Sequence, residues 1–253
     1  MSAKNRRIAW ISASDPPEAF PHPARAMREP DGLLAAGGDL SPERLLRAYR
    51  HGIFPWYDRG QPILWWSPDP RCVIEPRSFR LARRLRRDLR KGNLTLTFNR
   101  AFAAVIDACA APRRTGEGTW ITAEMNSAYR RLHELGWAHS IEVWNGERLA
   151  GGVYGVAIDR VFFGESMFSR EANASKAALF GLCRVLAQLD FELLDCQVCS
   201  PHLVSLGASA IPREDFLARL DTGCASGTAV HSLPRERMAL AELAQDGPAG
   251  ALQ

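Results

Sequence analysis

Residues 139–169 hold three strand-like runs joined by very tight turns. His139–Trp144 alternates polar and apolar side chains, Asn145-Gly146 is a two-residue hairpin signal, and Arg148–Ile158 is the return strand. Asp159-Arg160 turns the chain again into Val161–Ser169. Connections this short join antiparallel neighbours, so the chain contains an antiparallel meander. Asn173-Ala-Ser-Lys then opens a helix to about Leu189, and a strand over Phe191–Val198 follows. The expected class is α+β.

Two of these strands carry a carboxylate among apolar residues. In Leu193-Leu-Asp-Cys-Gln-Val198 the strand period points Asp195 and Gln197 one way and Cys196 the other. Burying such a pair is costly unless both groups are hydrogen-bonded. Read alone, it fits a satisfied structural pair better than a site. In Val161–Ser169, alternation puts Val161, Phe163, Glu165 and Met167 on one face and Phe162, Gly164, Ser166 and Phe168 on the other.

Ahead of the meander, a short strand is expected near Ile8–Ile11, then turns at Pro30, Gly32, Gly37 and Gly38. Ser41 and Pro42 read as the N-cap and first residue of a helix to about His51, with Leu45, Leu46 and Tyr49 buried and Gly52 as its stop. Trp56, Trp65 and Trp66 fall within eleven residues, which suits either a small core or a platform on which a nucleobase stacks. Leu94–Phe98 reads as a strand, Arg100–Ala110 as a helix, and Thr122 as the cap of a helix to about Leu135. A short helix near Glu214–Leu220 follows Pro212, Arg235–Ala244 is a further helical candidate, and a flexible tail is expected after about 221.

Ser78–Lys91 reads as one helix with Leu81, Leu85 and Leu89 on an apolar stripe. Between Arg77 and Lys91 eight basic residues face a single acid, Asp88. Like charges at this spacing repel, a cost that a polyanion would offset. The net charge of the chain, +4, hides this local excess. With 46% hydrophobic residues, no run of membrane-spanning length and no signal-peptide core, the chain reads as a cytoplasmic globular protein. Its six cysteines are scattered, which argues against a disulfide framework. Cys196-x-x-Cys199 lacks the matching pair that a zinc site would need.

Several strings taken together resemble the bacterial leucyl/phenylalanyl-tRNA–protein transferase family, in order from about Phe20 to Leu220. They are Glu29-Pro-Asp-Gly-Leu-Leu-Ala-Ala-Gly-Gly-Asp-Leu-Ser-Pro42, Gly52-Ile-Phe-Pro-Trp56, Pro62-Ile-Leu-Trp-Trp-Ser-Pro-Asp-Pro-Arg71 and Gly118-Thr-Trp-Ile-Thr122. Further along stand Phe163-Gly-Glu-Ser-Met-Phe-Ser-Arg170, Asn173-Ala-Ser-Lys176, Leu194-Asp-Cys-Gln-Val198, Ser205-Leu-Gly-Ala208 and Ile211-Pro-Arg213. The resemblance implies a small N-terminal domain over 1–67. A larger domain over 68–253 would resemble the GCN5-related N-acetyltransferases, with a mixed, largely antiparallel sheet and flanking helices. It implies transfer of Leu or Phe, with Met as a third candidate, from aminoacyl-tRNA to the α-amine of proteins beginning with Arg or Lys, marking them for proteolysis. No cofactor, metal, ATP, membrane or DNA enters that reaction.

By the same resemblance, Asp195 and Gln197 match the catalytic pair, and Glu165 matches a group that contacts the substrate amine. Trp56 and Trp120 match aromatics that bind the 3′ adenosine, with Tyr49 and Tyr129 beside them. Phe162, Met167, Leu194 and Val153 would line the apolar side-chain pocket; some members of the family carry a larger Met where this chain has Val153. The basic helix fits the acceptor stem, through Arg80, Arg83, Arg84 and Arg87 and its phosphates. Two other classes compete. An N-acetyltransferase would need an acyl-CoA loop, whose letters Arg113-x-x-Gly116-x-Gly118 satisfies away from the expected place, Ser169–Lys176. A non-catalytic tRNA-binding protein would need the basic helix and tryptophans but not Asp195, Gln197 and Glu165. Gly164-Glu-Ser166-Met-Phe168 lacks the second Gly of a hydrolase elbow.

Overall fold

A computed structural model describes residues 8–112, 120–230, 233–234 and 236–245. The N-terminal part holds strands β1 (Ala9–Ile11), β2 (Leu33–Gly37), β3 (Phe54–Pro55) and β4 (Leu64–Trp66) and helix α1 (Pro42–Arg50). These strands form one sheet in the order β1-β2-β4-β3. Helix α1 starts where Ser41 accepts the Arg44 N–H and Pro42 supplies a preset φ. It ends before Gly52, whose φ of +69° suits glycine. Leu45, Ala48 and Tyr49 are fully buried beneath it.

The second sheet begins with β5 (Arg71–Ile74) and continues with β6 (Leu94–Phe98), β7 (Ala138–Asn145), β8 (Arg148–Ile158), β9 (Val161–Ser169), β10 (Leu193–Gln197), β11 (Ser209–Ile211) and β12 (Met238–Ala239). Its order is β11-β5-β10-β9-β8-β7-β6-β12. The meander β7–β8–β9 is antiparallel, as the turns require. Strand β10 pairs parallel to β9, and helix α5 (Ala174–Gln188) makes the crossover between them. The remaining helices are α2 (Arg83–Lys91), α3 (Phe102–Ala110), α4 (Ala123–Glu134), α6 (Pro201–Ser205), α7 (Arg213–Gly223) and α8 (Leu240–Leu243). One face of the large sheet packs on α2, α5 and α8; the other packs on α3 and α4 and on the N-terminal sheet, with Tyr49 and Trp65 in that shared core. The chain is therefore α+β, with a small N-terminal region and a larger mixed sheet.

Three expectations need correction. The basic helix is shorter than Ser78–Lys91: Pro76–Ser78 is a separate 3-10 turn, and α2 starts at Arg83 with no side-chain cap at Ala82. Ser78 Oγ points back to Glu75 instead of capping a helix. The flexible tail is the second. Helix α7 runs to Gly223, β12 adds to β6, and α8 packs its Leu240 and Leu243 into the core beside α2. Arg90 of α2 donates to the Ala244 carbonyl at 2.9 Å. Third, Cys72 and Cys199 form a disulfide, with Cα atoms 4.9 Å apart. Scattered cysteines meet here because β5 and β10 are sheet neighbours. The pairing also removes Cys199 from any Cys196-x-x-Cys199 metal site. The acyl-CoA-like letters at 113–118, and Gly118 and Thr119 of the family string, lie outside the described residues.

Candidate active site

Two adjacent strands are bulged at the same level of the sheet. On β9, Glu165 is the extra residue: Ser166 pairs with Tyr154 and Gly164 with Gly155. Gly155 permits this approach, since a Cβ there would sit 2.1 Å from the Phe163 carbonyl oxygen. On β10, Cys196 is the extra residue, because Asp195 pairs with Val73 and Gln197 with Cys72. Gln197 takes a φ of +63°. The parallel β9–β10 ladder ends at the Asp195–Phe163 pair. Bulges re-aim side chains, and here they do so on both sides of the gap where the ladder stops. They also correct the strict alternation read along β9. Past Glu165 the faces exchange, so Met167 joins Phe162 in one core and Phe168 joins Phe163 in the other.

Glu165 lies at the centre of the gap, only 9% exposed. Tyr49 OH donates to its Oε1 at 2.7 Å, Tyr129 OH to its Oε2 at 2.7 Å, and Gln197 Nε2 to Oε1 at 2.8 Å. The two phenol oxygens are also in hydrogen-bond contact with each other. Burial pushes the Glu165 carboxyl up to about 7; the phenol bonds oppose that rise and the nearby Asp195 charge adds to it. Burial and the Glu165 charge raise both phenols well above their ordinary range, so they stay protonated. Three oxygen–oxygen contacts then share two phenol protons.

Asp195 is fully buried and occupied on both oxygens. Arg71 Nε donates to Oδ1 at 2.8 Å and Arg71 Nη2 to Oδ2 at 2.7 Å. The backbone N–H of Gln197 donates to Oδ1 at 2.9 Å. Arg71, equally buried, escaped the sequence reading. Its signal is an arginine heading the apolar run Arg71-Cys-Val-Ile, in a chain with a buried aspartate to neutralise.

A cavity of about 90 Å³ opens below Glu165. It is lined by Val153, Gly164, Ser166, Met167, Leu179, Leu182, Leu194, Cys196 and Leu203 with Glu165 at its rim. Of the expected pocket residues, Val153, Met167 and Leu194 line it. Phe162 is fully buried in the same core, behind the lining. Cys196, which alternation had turned away from the chemistry, is part of the wall; burial holds its thiol protonated.

The aromatic residues fall into two groups. Trp56 is 42% exposed, its ring 5.6 Å from that of Trp66, whose indole N–H donates to the Trp56 carbonyl. Trp120 is half-buried at the entry to α4. Tyr57 OH joins the two segments through Thr122 and Glu124, each at 3.4 Å. Trp65 is core, its indole N–H bonded to Gly37 O. Tyr49 and Tyr129 belong with Glu165 and are fully buried, not beside Trp56 on a stacking surface. Arg80, Arg83, Arg84 and Arg87 are all exposed. Among the described residues, no acid pairs with the first three, and Arg87 reaches only Asp88, at 3.8 Å.

An apolar slot with a carboxyl of raised pKa in its lining and an amide bonded to that carboxyl is suited to transfer of an acyl group to an amine, the chemistry of an acyltransferase. Residues 73–221 match the family model described as leucyl/phenylalanyl-tRNA protein transferase, and residues 38–69 match the model of its N-terminal domain. The leucyl/phenylalanyl-tRNA–protein transferase of Azoarcus sp. (strain BH72) is 56% identical over 220 residues, covering 87% of this chain and 92% of that protein. That of Pseudomonas fluorescens (strain SBW25) is 59% identical over 83% of this chain and 92% of its own length. The Xanthomonas euvesicatoria pv. vesicatoria (strain 85-10) protein is 60% identical over 83% of each chain. The chain belongs to the leucyl/phenylalanyl-tRNA–protein transferase family and is an aminoacyltransferase.

Proposed function

We propose that the enzyme moves Leu or Phe, with Met as a third candidate, from aminoacyl-tRNA to the α-amine of proteins beginning with Arg or Lys, marking them for proteolysis. The observation that carries this reading is the largely apolar cavity lined in part by Glu165, the carboxyl that the Gln197 side-chain amide meets at 2.8 Å. The donor is an ester, so the acyl group arrives activated. The amine attacks its carbonyl carbon, the tetrahedral centre collapses, and the terminal ribose oxygen leaves with a proton. An α-amine with a pKa of about 8 is partly neutral near pH 7. Positioning therefore contributes more than a strong base.

Gln197 spends its NH₂ group on Glu165, which leaves its carbonyl oxygen to accept from the attacking amine. Asp195, its charge paired with Arg71, fixes the Gln197 backbone. Its two oxygens are already engaged, which favours an orienting role over proton abstraction. Glu165 receives the ammonium of the aminoacyl residue, whose side chain fills the cavity. Trp56 and Trp120 stack the 3′ adenosine, and the arginines of α2, with Arg80 ahead of it, meet phosphates of the acceptor stem.

The larger sheet fits an acetyltransferase-like fold, supported by the parallel β9–β10 pair that opens where its ladder stops. A boundary near 67 is supported by the first sheet ending at Trp66 and the second starting at Arg71. Dependence on charged tRNA places the work in the cytoplasm. The test is transfer of labelled Leu from leucyl-tRNA to a peptide beginning with Arg, beside one beginning with Ala. Labelling of both alike removes the acceptor specificity. tRNA binding without transfer favours a binding protein, and acetyl transfer from acetyl-CoA favours the N-acetyltransferase reading.

A further inference from the structure

Arg71 is fully buried and each of its three guanidinium nitrogens donates a hydrogen bond. Beyond the two bonds to Asp195, Nη1 donates to the Gly52 carbonyl at 3.0 Å, and the rings of Phe54 and Phe216 lie 4.8 and 4.6 Å from Cζ. These partners come from three places: the segment that leads to Trp56, strand β10, and helix α7. A buried ion pair is weak evidence for stability, because well-packed apolar residues often do as well. What a forked guanidinium adds is fixed geometry, which a lysine cannot reproduce.

We propose that Arg71 is a positioning residue for aminoacyl transfer, setting the Gln197 amide through Asp195. The inference rests on the roles given above to Asp195 and Gln197. The path is short. Oδ1 of Asp195 takes both the Arg71 Nε–H and the Gln197 backbone N–H. Gln197 follows the bulged Cys196 at positive φ, at the last register pair of its strand, and its side chain must still meet Glu165 at 2.8 Å. Rotation of the Asp195 carboxylate would shift that amide. The bond to Gly52 ties the same guanidinium to the Trp56 segment, so one group registers the nucleoside platform against the attacking amine.

The experiment compares Arg71→Lys, Asp195→Asn and the double variant Arg71→Met/Asp195→Asn, which leaves no unpaired buried charge. It measures kcat, KM and tRNA affinity, with circular dichroism to confirm folding. Arg71→Lys is expected to lower kcat about 10- to 100-fold, the scale of a misplacement near 1 Å, with tRNA affinity changed by less than about twofold, since only an arrangement used in the reaction is lost. The double variant is expected to match Asp195→Asn in kcat, because Arg71 acts through Asp195. Wild-type kcat in folded Arg71→Lys overturns the proposal, as does a double variant whose kcat falls more than about threefold below that of Asp195→Asn. If Arg71→Lys does not fold, the second of these outcomes still decides. Wild-type turnover in Asp195→Asn removes the reading of Asp195 itself, and this proposal with it.

Discussion

Gln197 donates its side-chain amide to Glu165 across 2.8 Å, in the gap where the backbone ladder between their strands has ended. A side-chain bond thus continues what the sheet began. Each end has its own support: Glu165 from two buried phenols, Gln197 from Asp195 and through it Arg71. Both residues reach the gap because their strands are bulged beside it. The site is built by interrupting the sheet, with the cavity as the space that the interruption leaves.

Glu165 should make stability depend on pH. In the unfolded chain its carboxyl ionises near 4.5, whereas in the fold burial holds it at about 7. Between these values the folded state binds more protons, so this group's contribution is fully present below about pH 4.5 and is lost as pH rises through 7. Thermal melts at pH 5.5 and 8 should show the wild type losing more stability with rising pH than Glu165→Gln, which cannot ionise. Equal pH dependence in the two proteins would remove the raised pKa from the account.

The arginines on and just before α2 should govern tRNA affinity without touching turnover at saturation. Arg80→Glu, Arg83→Glu, Arg84→Glu and Arg87→Glu each remove one exposed cation and add an anion. Each is expected to weaken tRNA binding and to reduce the slope of log affinity against log salt by about 0.7–0.9 for every phosphate that is no longer neutralised. Titration at several salt concentrations measures this. Affinity that is insensitive to salt in the wild type would place the tRNA elsewhere.

The meander was legible because its turns leave one arrangement: β7, β8 and β9 follow from Asn145-Gly146 and Asp159-Arg160. Helix α1 was legible from Ser41, Pro42 and Gly52. The bulges were not, since one extra residue in a strand leaves the composition unchanged and only the partner strand reveals it. For that reason alternation misplaced Met167, whereas it set Cys196 on the face of Leu194, and both line the cavity. Tyr49 and Tyr129 were named as site residues, yet their bond to Glu165 needs three elements brought together in space. The leucine period of the basic helix begins at Leu81, ahead of the first helical residue Arg83, so the period alone overstates its length. Chain order alone could not show that residues 72 and 199 meet.

Val153 should set the width of the cavity. It is 4% exposed and lines a space of about 90 Å³. Val153→Met adds side-chain volume there, so Phe should lose more than Leu. A difference of one or two methylene-sized groups changes selection by about 1–3 kcal/mol, or about 10- to 200-fold in relative kcat/KM. Competition between leucyl- and phenylalanyl-tRNA for one acceptor peptide reads the ratio directly, and an unchanged ratio would place the side chain in another cavity.

The Cys72–Cys199 disulfide should make stability depend on redox state. It joins the strand that carries Arg71 to the segment just past Gln197, with a sequence separation of 127 residues between its ends. Closing so long a loop restricts the unfolded chain, and native bridges of this kind contribute about 2–4 kcal/mol. The melting temperature of the wild type should therefore fall by several degrees when a reductant is added. Cys72→Ser/Cys199→Ser should melt at the lower temperature in either condition, since the structure places none of its remaining cysteines, 109, 183, 196 and 224, in a disulfide. A wild-type melt that does not respond to reductant, in protein whose thiol count shows the bridge formed beforehand, would mean that the unfolded chain gains little from losing it.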